Sequence, residues 1–270
     1  MSKFYLLDRN IVSVIKDAVD AKPQRTNDKT MMLKKLRGID RRTNFISTML
    51  SVREGQIGKH ESEEETKRTI DKEADYLASF YKNAKVDSAI IKNNKELVSD
   101  VFSGNLEIYW EKYESFLKFS NEFLFQPISK KEKPRRLEEI ISYADKLGLS
   151  KGHPVFISVL SCFYGSPISR AVIKPKKGKP NFYNEISDLV VLTRVNRVKL
   201  NIFNRNPKIK VEFLTLDKKL SKFLDCINVI SIGEIKEGEL LTTSSYSSSL
   251  FPELKKQEYL SLMERLGANL

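Results

Sequence analysis

Two cysteines and two histidines are all that this 270-residue chain contains. Cys162 and Cys226 each lie in an apolar stretch and no CxxC occurs, which excludes a disulfide framework, a zinc ribbon and a thioredoxin-type site. Buried, reduced thiols and a cytoplasmic location are the expectation. His60 and His153 are too few for chemistry built on paired imidazoles, and His153, ahead of Pro154 and an apolar run, reads as a loop or helix start. The serine-hydrolase elbow and the P-loop are both missing. No stretch approaches the ~20 apolar residues of a membrane span. Lys3, Asp8 and Arg9 also interrupt the start before a secretory signal can develop, so no membrane partner is expected.

Positive charge is abundant. Lys and Arg number 47 against 35 Asp and Glu, a net charge of +12 and a pI near 9.5, which suggests a polyanionic partner. Its distribution is uneven. Residues 170–220 hold 13 basic and 4 acidic side chains, residues 1–59 hold 13 and 6, and residues 60–125 reverse the balance with 9 and 14. A solvated face with no partner produces such runs too, but the asymmetry favours a nucleic-acid groove.

The hydrophobic pattern alternates short apolar runs with helical stripes. Phe4-Tyr5-Leu6-Leu7 reads as a buried strand ending at Asp8, and residues 11–19 carry a helix face. Residues 20–30 read as a polar connection, and Phe45-Ile46-Ser47 opens a second apolar stretch. From 61 to about 147 the spacing is helical: Ile70, Ala74, Leu77, Tyr81 and Ala84, then an aromatic stripe from Leu106 to Phe123, then Leu137 to Leu147 between Pro134 and Gly148. The aromatics have the spacing that antiparallel helices need to bury one another, so core packing is preferred to a ligand pocket. Residues 155–164 lean to helix, 174–180 form a basic, proline-bracketed loop, and 184–198 read as a helix. Residues 201–210 look like an added basic loop. Val211 to Leu216 is a strand ending at Asp217, followed by a short helix at 220–224 and another strand at 227–232. Residues 242–249 read as a Ser/Thr-rich linker before a terminal helix at 252–266. Strands separated by helices predict an α/β fold with a central, mainly parallel sheet. In such sheets functional groups gather beyond the carboxyl ends of the strands, where Asp8 and Asp217 stand.

Metal-assisted phosphodiester cleavage needs hard oxygen ligands, and acids drawn from several segments supply them. Taken singly, each acid here has a plainer reading: Glu54 as a solvated helix residue, Asp188 as an exposed helix acid, Asp217 as a helix N-cap. Taken in order, the segments resemble a known family. Leu6-Leu7-Asp8-Arg9-Asn10 resembles the opening strand of PIN-domain nucleases. Phe45-Ile46-Ser47 leading to Val52-Arg53-Glu54-Gly55 is similar to the second block, Asn184-Glu185-Ile186-Ser187-Asp188-Leu189 to the third, and Phe213-Leu214-Thr215-Leu216-Asp217 to the fourth. The resemblance covers roughly residues 3–58 and 153–233.

The resemblance implies a three-layer PIN-like fold over residues 1–241, with a helical insertion at about 60–150 and the linker and C-terminal helix at 242–270. It implies that Asp8, Glu54, Asp188 and Asp217 hold Mg²⁺ or Mn²⁺, with Asn10 and Thr215 as supporting polar groups. Glu185, three positions before Asp188 on the same helical face, could add or substitute a ligand. The Glu61, Glu63, Glu64, Glu65 cluster is a second source of the second acid, although it reads as a solvated helix start. The implied activity is phosphodiester hydrolysis by an endoribonuclease, RNA favoured over DNA, in a setting such as a toxin or an antiphage-defence effector. Lys174, Lys176, Lys177, Lys179, Arg194 and Arg197 would grip the phosphate backbone. The insertion would be available for a protein partner or homo-oligomer. A different class of reading keeps the fold as a nucleic-acid-binding scaffold that cleaves nothing. A haloacid-dehalogenase-type phosphatase needs a second Asp where Asn10 stands.

Overall fold

The computed structural model describes residues 2–54, 61–98, 109–126, 128–178, 180–234 and 240–267. The chain divides into two compact units, the first formed by residues 1–106 and 194–218 and the second by residues 107–193 and 219–270.

The first unit is α/β. Strand β1 (Lys3–Leu7) lies between β2 (Phe45–Ser47) and β4 (Lys210–Leu214), and β3 (Lys85–Val86) extends the sheet beyond β2, giving the order β3-β2-β1-β4. All three pairings are parallel. Tyr5, Leu6 and Leu7 are buried in succession, as a central parallel strand covered on both faces requires. Helix α1 (Arg9–Val19) starts on the Asp8 cap and buries Ile11, Val12, Val14 and Ile15. Helices α2 (Asn27–Gly38), α3 (Met49–Glu54), α4 (Glu63–Phe80) and α5 (Ser88–Asn93) follow in sequence. Ser62 and Glu65 close a capping box at the start of α4. Asp40 fixes the approach to β3, accepting backbone hydrogen bonds from Lys82 (3.1 Å), Asn83 (2.8 Å) and Ala84 (2.7 Å).

The second unit holds α6 (Trp110–Phe125), α7 (Lys133–Leu147), α8 (Pro154–Phe163) and α9 (Pro167–Ile173). Every residue of α8 is buried, which suits a helix apolar on all sides at the centre of a helical core. Phe156 stacks on Phe116 there, with ring centroids 5.7 Å apart. Tyr246 donates to the Gly152 carbonyl and Tyr259 to the Tyr246 carbonyl, tying strand and terminal helix to that core. Helix α10 (Tyr183–Arg205) begins in the second unit and ends in the first. Helix α11 (Lys218–Asp225), strands β5 (Ile227–Glu234) and β6 (Leu240–Tyr246), and α12 (Lys256–Arg265) complete the chain.

Four expectations need correction. The polar connection at 20–30 gives way to α2, whose Thr26 cap accepts from Lys29 N; only Leu36 of that helix is buried, too little for a legible stripe. Helices α4 and α5 and strand β3, within the expected insertion at about 60–150, belong to the first unit. The basic loop at 201–210 is helical as far as Arg205. The strand at 227–232 stands outside the parallel sheet and pairs, antiparallel, with β6 in a separate two-stranded sheet. That pairing also replaces the linker at 242–249, where Thr and Ser side chains are compatible with a strand once a partner strand is present.

Candidate strand-end carboxylate site

Parallel alignment sends all four strand ends to one edge of the sheet. Asp8 follows β1, Thr48 follows β2, Asp87 follows β3, and Thr215 with Asp217 follows β4. Leu7 pairs with Leu214, so Asp8 and Thr215 are the next residues on neighbouring strands. Asp8 N–H donates to the Leu214 carbonyl at 3.0 Å, continuing the ladder.

The Asp8 carboxylate is 8% exposed and heavily engaged. Its Oδ1 accepts from Arg9 N at 2.8 Å, which caps α1. Its Oδ2 accepts from both Asn10 Nδ2 and Thr215 Oγ1. The second Asn10 amide hydrogen reaches Thr215 Oγ1 at 3.1 Å, and Asn10 Oδ1 accepts from Leu216 N at 2.8 Å. Thr215 Oγ1 also accepts from Asp217 N at 3.0 Å. Asp8, Asn10, Thr215 and the Asp217 backbone thus form one network across two adjacent strand ends. Three donors occupy three of the roughly four acceptor positions that an ionised carboxylate offers.

The remaining site residues are placed as follows. Glu54 is half-buried at the end of α3, in the first unit. Asp188 is half-buried on α10 within the second unit, and Glu185 on the same helix is buried, only 2% exposed. Glu185 Oε1 lies 2.9 Å from Lys176 Nζ, and its Oε2 is buried without a hydrogen-bond partner. Lys176, expected to bind phosphate, therefore already carries a carboxylate, and Asn121 clamps its backbone by two hydrogen bonds of 2.8 and 2.9 Å. Lys174 and Lys177 are exposed, Lys174 in a left-handed conformation with φ 48° at the end of α9. Lys179 lies outside the described residues. Arg194 is half-buried and Arg197 exposed, both on the part of α10 that belongs to the first unit. Among the described residues no group of three or more His, Cys, Asp or Glu side chains is placed to hold a metal ion.

The acidic cluster at 61–65 is not uniformly solvated. Glu63 and Glu64 are exposed at the helix start, whereas Glu61 is 7% exposed and accepts from Thr69 Oγ1. His153 is the α8 cap: Nδ1 accepts from Val155 N at 3.2 Å, which leaves the hydrogen on Nε2, 3.1 Å from Tyr113 OH. Burial pushes it down to about 4, so it is neutral and structural.

Two acids escaped the sequence reading, Glu73 buried and Asp87 half-buried. Glu73 is 2% exposed; its Oε1 accepts from Ser51 Oγ at 2.9 Å, with Lys16 Nζ at 3.7 Å, and its Oε2 has no hydrogen-bond partner. Burial pushes its carboxyl up to about 7, opposed by Lys16, Ser51 and Arg9 and reinforced by Glu61. Asp87 is pushed up to about 6 by burial, against hydrogen bonds from Ser47 and the Thr48 backbone, and its Oδ1 is shielded without a partner. Glu73 was detectable, since Ile70, Glu73, Ala74 and Leu77 share one face of α4. Asp87 follows a strand of two residues, too short to show a period.

No family model, curated protein or solved structure matches this chain.

Proposed function

We propose that the chain is a PIN-like, metal-dependent nuclease acting on RNA, with its reactive centre at the strand-end edge of the four-stranded sheet. The observation that supports this most is the network that fixes Asp8 and the Asp217 backbone on adjacent parallel strands through Asn10 and Thr215. The donors there are all oxygen, the chemistry that Mg²⁺ and Mn²⁺ prefer, and Mg²⁺ commonly takes only one or two protein carboxylates, keeping water in its other positions. In this reading Asp8 and Asp217 hold the ion, with Glu54 of the same unit as a further candidate acid. A bound divalent ion would supply Lewis acidity and an activated water. Asn10 and Thr215 keep the Asp8 carboxylate oriented, and the basic side chains of the chain draw in the phosphate backbone.

The test is cleavage of end-labelled RNA in Mn²⁺. Activity is expected in the native protein and its loss in both Asp8→Asn and Asp217→Asn. Unchanged cleavage in those variants would overturn the site assignment. A second reading, a nucleic-acid-binding scaffold, is favoured by the three protein donors already on Asp8. It requires binding without cleavage in any divalent ion.

A further inference from the structure

The opposite edge of the same sheet, where the strands begin, has the reverse chemistry. The turn before β2 carries Arg41 and Arg42, the approach to β3 carries Lys82 and Lys85, and the approach to β4 carries Lys208 and Lys210. All six are exposed and all belong to the first unit. Because the strands are parallel and about 4.8 Å apart, these cations form a row across the sheet instead of scattering over the surface.

Few acids are available to neutralise the row. Asp40 directs its carboxylate into the backbone of residues 82–84. Glu212 sits 2.8 Å from Lys3 Nζ and 4.0 Å from Lys210 Nζ. Between Asp188 and Glu212 the sequence contains no acid at all. Near the end of α10, five positions before Lys208, Phe203 is 61% exposed, and Asn201, Asn204 and Arg205 are exposed too. An aromatic ring in water together with a linear array of cations matches the two parts of single-stranded nucleic-acid recognition: charges that follow phosphates and a π-face on which a base stacks.

We infer that the strand-start edge, from Lys82 through Arg41 and Arg42 to Lys208, together with Phe203 on the helix that leads into β4, is a binding surface for single-stranded nucleic acid, separate from the carboxylate edge. The ligand class follows from the proposed nuclease reading; the surface does not depend on cleavage. It gives the protein a second hold on a strand, on the side away from Asp8.

The experiment is fluorescence anisotropy of the 270-residue chain with a labelled 20-nucleotide single-stranded RNA in EDTA, titrated across NaCl concentration. Triple substitution Arg42→Gln, Lys82→Gln, Lys208→Gln removes only exposed charges. It is expected to weaken binding at least tenfold and to flatten the log–log salt slope by about 2, from roughly 0.7 per phosphate contact. Phe203→Ala should weaken single-strand binding about tenfold and leave binding to a duplex of the same sequence unchanged, while Phe203→Trp retains affinity. Native affinity and slope in the triple variant would overturn the proposal. So would a triple variant that loses binding to phosphatidylserine vesicles but not to RNA, which would make the edge a membrane contact. If Mn²⁺-dependent cleavage is absent while the triple variant still shows the binding defect, the nuclease reading fails and this surface stands.

Discussion

Thr215 is a single hydroxyl with three tasks: it donates to Asp8, and it accepts from Asn10 and from the Asp217 backbone. Thr215→Val keeps the shape and removes all three. It is expected to destabilise the protein by about 1–3 kcal/mol, measured by urea unfolding, whereas Thr215→Ser should restore most of the loss. Glu73 acts through pH. Its folded pKa of about 7 lies above the ordinary carboxylate value, so the native state binds the extra proton. That contribution is complete at low pH and is lost as pH rises from about 4.5 through 7. Glu73→Gln should flatten this decline in unfolding free energy while leaving the Ser51 contact an acceptor oxygen; an unchanged slope would show that Glu73 does not titrate in the window. Much of the residue-level picture was legible. Asp8 and Asp217 announced themselves because apolar strand runs stop abruptly at them, whereas Asn10 and Thr215 came into view only through the family resemblance. Glu73 did not, because an acid inside a helical stripe looks solvated until the helix packs and burial removes its water.

At the scale of elements, signals written in local chemistry came through. Pro134 and Gly148 bracketed α7, and Gly148 does occupy the left-handed position, with φ 67°. A Cβ there would meet nothing closer than Lys112 Nζ at 3.7 Å, so the cost of Gly148→Ala is conformational. A loss of about 1 kcal/mol is expected in thermal or urea unfolding. Elements that depend on partners were harder to read. Helix α2 buries too little to betray its period. Strand β6 exists because β5 lies beside it, a contact that propensity does not encode. Residues 201–205, rich in Asn and Arg, look like a loop but simply continue the helix that Tyr183 begins.

For the whole molecule, each unit has its own core: one around Leu7, Ile11, Ile15 and Ile46, the other around Phe116, Phe156, Leu160 and Phe251. Calorimetry is expected to resolve two transitions. Phe156→Ala, at a fully buried ring, should lower one of them by about 3–5 kcal/mol and leave the other in place. One transition shifted as a whole would mean that the cores melt together. The α/β class and the parallel sheet were foreseeable from strands alternating with helices. The partition was not, since the first unit is assembled from two separated segments of the sequence and no compositional break marks residues 106 or 194. That assembly has a consequence on the ribosome. Asp8 and Thr215 are 207 positions apart, so β1 emerges with β2 and β3 but without its second neighbour. At about 5–20 residues per second, translation leaves the Tyr5-Leu6-Leu7 edge bare for roughly 6–25 seconds after β3 appears. A nascent chain with an open apolar edge invites mispairing, so slower or cooler expression with a chaperone that shields exposed strands should raise the soluble yield.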